Sequence, residues 1–198
     1  MYLSANSIDP RFSFEVFMKN QTSAILTIVS ACWLILWGCA PSNSSSKTEL
    51  EGTWISNCLS DGYVNVLKKI DVSGDSMEFE WTYYDETDNQ TCSTLRDSLA
   101  FSTDNISITD NSTIKTLSVT HKKWTLTPKS LIETNSYNSK VTCGFSDWQI
   151  DVTRDVTGIS ITDCNYPPAG ALLTFQYSLD GSSLDFTDFV DTRTYTKQ

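Results

Sequence analysis

Between Met77 and Tyr83 the side chains alternate without a break: Met77, Phe79, Trp81 and Tyr83 are apolar, while Glu78, Glu80 and Thr82 are polar. A period of two with one oily face specifies an extended strand, half-buried against a core. The preceding Ser73-Gly74-Asp75 is hairpin-turn chemistry, and it links this strand to an expected partner at Tyr63–Val72. The same Thr-, Val-, Ile- and aromatic-rich texture, broken by Gly, Asn and Asp, recurs along the chain. It predicts further strands at Glu51–Asn57, Cys92–Phe101, Asn105–Thr109, Ile114–Thr120 and Lys123–Leu126. Others are expected at Trp148–Val152, Gly158–Thr162, Leu172–Leu179, Ser183–Thr187 and Thr192–Thr196. Thr127 as cap and Pro128 at the first helical position predict one short helix over Lys129–Asn135. Some ten short strands without a repeating βα unit point to an antiparallel barrel or sandwich. Closing the sheet removes the edges that would otherwise pair with other chains.

The N-terminal part reads differently. Ala24 to Trp37 is an apolar run after Met18-Lys19; it ends in Leu36-Trp37-Gly38-Cys39 and gives way to the polar Ala40–Ser46. The run is shorter than the roughly 20 residues of a bilayer-spanning helix. A positive start, an apolar middle and a small residue before the cut resemble a bacterial lipoprotein signal peptide. The resemblance implies cleavage before Cys39, acylation of Cys39, and a bilayer as partner. Val29-Ser30-Ala31-Cys32 offers a second match to the letters, but cutting there leaves Trp33–Trp37 at the mature start. Residues 1–17, with Asp9, Pro10 and Glu15, do not fit a signal and read as an extension ahead of a start at Met18. The expected organisation is therefore 1–17 extension, 18–38 signal peptide, 39–47 flexible tether and 48–198 barrel domain. Ala40 after the cysteine implies sorting to the outer membrane of a two-membrane envelope.

The chain carries a formal net charge of −10. Removing residues 1–38 leaves it unchanged, because Arg11 and Lys19 balance Asp9 and Glu15. Such acidity argues against nucleic acid and anionic headgroups as partners. After Cys39 come Cys58, Cys92, Cys143 and Cys164, an even count that in an exported chain reads as two disulfides. Three connectivities are open; Cys58–Cys92 with Cys143–Cys164 is favoured, since each closes a moderate loop between neighbouring strand ends.

Leu50-Glu51-Gly52-Thr53-Trp54 opens the domain, and Gly52-Thr53-Trp54 resembles the G-x-W signature of lipocalin-like barrels. That resemblance implies an up-and-down, calycin-like barrel of about 8–10 strands. It also implies a tryptophan at the closed end under an arginine from a strand near the C-terminus, the place of Arg193. Gly52–Cys58 and Cys143-Gly144-Phe145-Ser146-Asp147-Trp148 are similar to elements of small bacterial G-T-W-x-x-x-C lipoproteins. The family's central T-D-Y element has its nearest match in Thr187-Asp188-Phe189, close to the C-terminus instead.

Catalytic candidates are few. The single histidine, His121, lies in the polar Thr120-His121-Lys122-Lys123 and reads as a surface residue. No G-x-S-x-G elbow supplies a nucleophile. Asp85-Glu86-Thr87-Asp88-Asn89 is an acidic hairpin tip lacking the Gly and distal Glu of a calcium loop. Asp185, Asp188 and Asp191 at three-residue spacing would not share one face of an extended strand. No catalytic residue, cofactor or metal is expected. Trp54, Trp81, Trp124 and Trp148, with Phe79, Tyr83, Phe145, Phe175 and Tyr177, either fill a barrel or line a cavity. The expectation is a non-enzymatic envelope protein binding a small apolar ligand, or alternatively a structural or interaction module whose filled barrel holds no ligand and presents loops to another envelope protein or to the cell wall.

Overall fold

The computed structural model describes residues 48–60, 63–88, 91–111 and 113–198. Cys39, the signal region 18–38, the extension 1–17 and the tether 39–47 lie outside the described residues.

The domain is a closed eight-stranded antiparallel barrel with one short α-helix. Its strands are β1 (Gly52–Ser56), β2 (Val64–Ser73), β3 (Ser76–Asp85), β4 (Leu95–Asn111), β5 (Ile114–Pro128), β6 (Leu172–Asp180), β7 (Ser183–Thr187) and β8 (Thr192–Lys197). Each pairs with the next in an up-and-down meander. Pairing of Trp54 with Lys197 and Ser56 with Tyr195 joins β1 to β8 and closes the ring.

Alternation places Met77, Phe79 and Trp81 inside and Glu78 and Glu80 outside, as the sequence demands. The interior is aromatic. Phe79 stacks on Phe101 with centroids 4.2 Å apart, and Phe101 on Trp124 at 4.3 Å. Phe175 and Phe186 approach Phe79 at 5.4 and 5.6 Å. Rings this close contribute roughly 0.5–1.5 kcal/mol per pair beyond their buried area.

Several elements differ from the sequence reading. Asp104-Asn105 does not separate two strands; β4 runs through it with a register shift, and Asn105 takes φ 55°. Asn tolerates that left-handed conformation, so the expected break is a bulge. Likewise β5 is continuous: Ser102 pairs with Lys123 and Thr103 with His121, and Lys122 is the extra residue. The helix α1 spans Leu131–Lys140 rather than Lys129–Asn135. Its cap is Ser130, whose side chain accepts from the Glu133 N–H, while Pro128 ends β5. Trp148–Val152 is not a strand, and the expected Gly158–Thr162 strand shrinks to the two-residue Ser160–Ile161, paired with Cys164–Asn165. Trp148 and Phe145 therefore belong to the β5–β6 connection, where Tyr137 and the Arg154 guanidinium pack against Trp148.

Both disulfides have the favoured pairing. Cys58–Cys92 joins the β1–β2 and β3–β4 connections with Cα atoms 5.9 Å apart, and Cys143–Cys164 braces the β5–β6 connection at 5.2 Å.

Candidate functional site

The two ends of the barrel are chemically unlike. One end carries the β2–β3, β4–β5 and β6–β7 hairpins and the segment from Thr48 into β1. Leu50 is buried there, and Glu49 accepts from Lys115 Nζ at 2.8 Å and from the Tyr177 hydroxyl at 2.5 Å. The hydrogen bond from Lys115, then that from Tyr177, hold the Glu49 carboxyl below its ordinary range. Burial, then the bond to Glu49, pushes the Tyr177 phenol well up. The segment is thus pinned across this end, which is the closed one.

Trp54 is the anchor of the closed end, fully buried, with its indole N–H donating to the Leu50 carbonyl at 2.7 Å. The cation over its ring is not Arg193. Lys197 Nζ lies 5.1 Å from the Trp54 centroid, because the β1–β8 register sets Lys197 opposite Trp54. Gly52, at φ +117°, leaves the space this needs: a Cβ there would meet Lys197 Cε at 3.1 Å. The glycine and tryptophan of the motif are linked through that lysine.

Arg193 is buried four residues earlier on β8, toward the other end, in an interior charge network. Its Nε donates to Asp191 Oδ2 at 2.7 Å and its Nη1 to the Val66 carbonyl at 3.2 Å. Lys68 Nζ donates to Asp188 Oδ2 at 2.7 Å and to Asp191 Oδ1 at 2.5 Å, and sits 4.9 Å from the Trp81 centroid. Asp188 and Asp191 do share a partner, against expectation, because they lie in the β7–β8 loop and not on a strand. Asp185 remains on β7 and accepts from Thr194. Burial opposes ionisation of Asp191, but the hydrogen bonds from Lys68 and Arg193 prevail and hold its pKa below the ordinary value. A depressed folded pKa means stability that is present above about pH 4 and is lost as pH falls through the folded value. The melting temperature of wild type should therefore exceed that of Asp191→Asn at neutral pH, and the gap should narrow as the pH falls below the ordinary carboxylate value of about 4. A gap independent of pH contradicts the assigned pairing.

Between those carboxylates Phe189 turns inward. Its ring lies 5.0 Å from Phe175, 5.7 Å from Phe101, 6.0 Å from Trp124 and 6.4 Å from Trp81. Strand residues alone do not fill this half of the barrel; a loop residue completes the packing. Nothing in the sequence pattern marked it, since Thr187-Asp188-Phe189 reads as a misplaced motif.

His121 is buried, not exposed as its polar neighbours suggested. His121 faces inward in phase with Leu117 and Val119, and the extra residue Lys122 shifts the phase so that Trp124 faces inward too, leaving Lys122 and Lys123 outside. Its Nδ1 lies 3.0 Å from the Pro168 carbonyl, which only accepts, so Nδ1 carries the proton. Its Nε2, together with the indole nitrogens of Trp81 and Trp124, is buried without a hydrogen-bond partner among the described residues. The acidic tip is a single 3-10 turn, Glu86–Asp88, with Asp85 accepting from Thr87. Among the described residues no three His, Cys, Asp or Glu side chains gather as metal ligands.

The open end is formed by the β1–β2, β3–β4, β5–β6 and β7–β8 connections. Exposed apolar side chains collect on these connections: Leu59, Tyr63, Leu131, Ile132, Val141 and Val190. A depression of about 300 Å³ on the outer wall is lined instead by charged groups, including Lys69, Glu78, Glu80 and Lys123.

Fold and ends together define an eight-stranded antiparallel barrel compatible with a lipocalin-like architecture. No protein-family model matches the chain, and no curated protein is similar to it.

Proposed function

We propose that this protein is a lipid-anchored, non-enzymatic envelope module whose open end docks another envelope protein. The observation that carries this reading is the uneven distribution of exposed apolar side chains. Leu59, Tyr63, Leu131, Ile132, Val141 and Val190 all stand on open-end connections, two of which are joined by the Cys58–Cys92 bridge. Exposed apolar side chains concentrated at one end of a fold support an interaction surface there. A rigid, cross-linked rim loses little entropy when it docks. The stacked interior rings favour a filled barrel over a reservoir for an apolar ligand.

What supports anchoring is the sequence: an apolar run closing in Leu36-Trp37-Gly38-Cys39, then a polar stretch. Acyl chains on Cys39 contribute roughly 0.8 kcal/mol per buried CH₂, and more than one chain makes attachment durable. Thr48, where the described domain begins, lies at the closed end, away from the open-end connections.

The test is site-specific photo-cross-linking in the cells of origin. A cross-linker at Ile132, 81% exposed on α1, should give a discrete protein adduct, and one at Ile114, 53% exposed at the closed end, should not. Equal labelling from both positions, or from neither, contradicts the docking reading. Cys39→Ser should move the protein from the membrane to the soluble fraction; retention on the membrane contradicts acylation at Cys39.

A further inference from the structure

We propose that Lys68 and Asp188 condense to an intramolecular amide, a covalent staple across the seam of the barrel, with Asp191 as the proton relay. The inference goes beyond the docking reading and does not rest on it.

The three groups of the reaction are already assembled, and the ion pair is the reactant state. Lys68 Nζ is the nucleophile, and Asp188 Oδ2 lies 2.7 Å from it. Both side chains are shut off from water, at 3% and 1% exposure. The second oxygen of that carboxylate, Asp188 Oδ1, accepts from the backbone N–H groups of Val190 and Asp191 at 2.9 and 3.2 Å. Two donors on one oxygen are placed to receive the negative charge of a tetrahedral intermediate. Asp191 Oδ1 touches the same Nζ at 2.5 Å, and its Oδ2 is held by Arg193 Nε at 2.7 Å. Its lowered pKa keeps Asp191 ionised at neutral pH and so able to accept a proton. Asp191 is also 35% exposed and lacks the paired backbone donors, which makes Asp188 the electrophile.

The step balances without an outside reagent. Asp191 takes one proton from the Lys68 ammonium and delivers it to Asp188 Oδ2, leaving a neutral amine beside a neutral acid. Burial disfavours charged forms, so this exchange costs less here than in water. The amine nitrogen attacks Asp188 Cγ; the N–C bond forms and an electron pair moves onto Oδ1. Asp191 then carries a second proton from nitrogen to Oδ2, the Cγ–Oδ2 bond breaks, and Oδ2 leaves as water. The third ammonium proton stays on the amide nitrogen. Asp191 ends as the carboxylate it began as, one cation and one anion are consumed, and nothing is oxidised or reduced.

The surroundings favour the amide. Well-oriented intramolecular reactions reach effective molarities of about 10⁵–10⁸ M, and here the amine is already in contact with the carboxyl group it attacks. Hydrolysis would need water. The Trp81 ring covers Nζ at 4.9 Å, and Phe189, next to Asp188 in the chain, packs against Trp81 at 6.4 Å. The amide also removes two buried charges, each of which carries a desolvation penalty. Its place gives it a use. The seam strand β1 is five residues long and ends at Ser56, which pairs with Tyr195 of β8 and whose hydroxyl accepts from the Lys68 N–H. The staple falls where that strand runs out, and it joins residues 120 apart in the chain.

Peptide mapping by mass spectrometry of the purified full chain, reduced and denatured, tests this. Wild type should give a linked pair of peptides, one carrying Lys68 and the other Asp188, lighter than their sum by one water. Lys68→Arg, which keeps a cation but offers no amine, should give no linked pair. Asp191→Asn, folded by the near-ultraviolet circular dichroism of its tryptophans, should form the link at least about a hundredfold more slowly in a pulse-chase. Separate, unmodified Lys68 and Asp188 peptides from folded wild type overturn the proposal, whether or not either variant folds. So does a loss of water confined to a single peptide, or a link that ends on Asp191. A folded Asp191→Asn that links as fast as wild type overturns the relay.

Discussion

Trp54→Ala should lower the free energy of unfolding by about 3–5 kcal/mol, the range for truncating a large buried aromatic. Trp54 is fully buried, pairs with Ile70 and Lys197, and donates to Leu50. Alanine would remove the ring, leave the Leu50 carbonyl without that donor, and strip Lys197 of the face it covers. It would also act at the β1 seam, where the ring of strands closes. Urea denaturation of wild type and variant measures the loss, and a shift below about 1 kcal/mol contradicts the assignment of Trp54 as the closed-end anchor.

Lys68→Ala should cost a similar amount, about 3–5 kcal/mol, by a different route. The Lys68 side chain is 3% exposed and the Asp188 side chain 1%. Removing the ammonium leaves a buried carboxylate with no counter-charge, and Asp191 retains only Arg193. The cost is thus the penalty of an uncompensated charge and not the net worth of the pair. The same denaturation experiment checks it. A double variant, Lys68→Ala with Asp188→Ala, should recover part of the loss, because both charges then leave together. A double variant whose loss equals the sum of the two single losses contradicts direct coupling.

Much of this barrel is legible in the chain because its strands have one buried face. Met77 to Tyr83 specifies its own orientation, and the Ser73-Gly74-Asp75 turn fixes its neighbour. Bulges hide from the same reading. Asp104-Asn105 and Lys122 carry turn-like or polar residues in mid-strand, so β4 and β5 each read as two pieces. Pro128 was a natural helix opener, yet a proline at the end of a strand needs no ladder hydrogen bond, and Ser130 with Glu133 supplies the cap instead. Of the three connectivities open to the sequence, the favoured Cys58–Cys92 with Cys143–Cys164 is the one present, although Cys143 lies in the turn after α1 and not at a strand end.

The interior charges were not legible, for a geometric reason. Arg193 and Lys197 lie on the same face of β8, two repeats of the alternation apart, and only the register with β1 decides which of them covers Trp54. Lys68 sits on a strand whose other inward residues are Val64, Val66, Ile70 and Val72, so the period of two does point it inward. What the sequence lacks is the partner: Asp188 and Asp191 reach Lys68 from a loop, where alternation has no force. Phe189 is hidden for the same reason. His121 continues the inward alternation of Leu117 and Val119, which its polar neighbours mask, and the Lys122 bulge that follows brings Trp124 back to the interior.

The seating of Phe189 tests the account most directly, since the filled interior requires it. Nuclear Overhauser spectroscopy of the isotopically labelled protein should show cross-peaks from the Phe189 ring protons to those of Phe101, Trp124 and Phe175. A Phe189 ring with no contact to those three side chains, and with the averaged shifts of a solvent-facing phenyl, would contradict it.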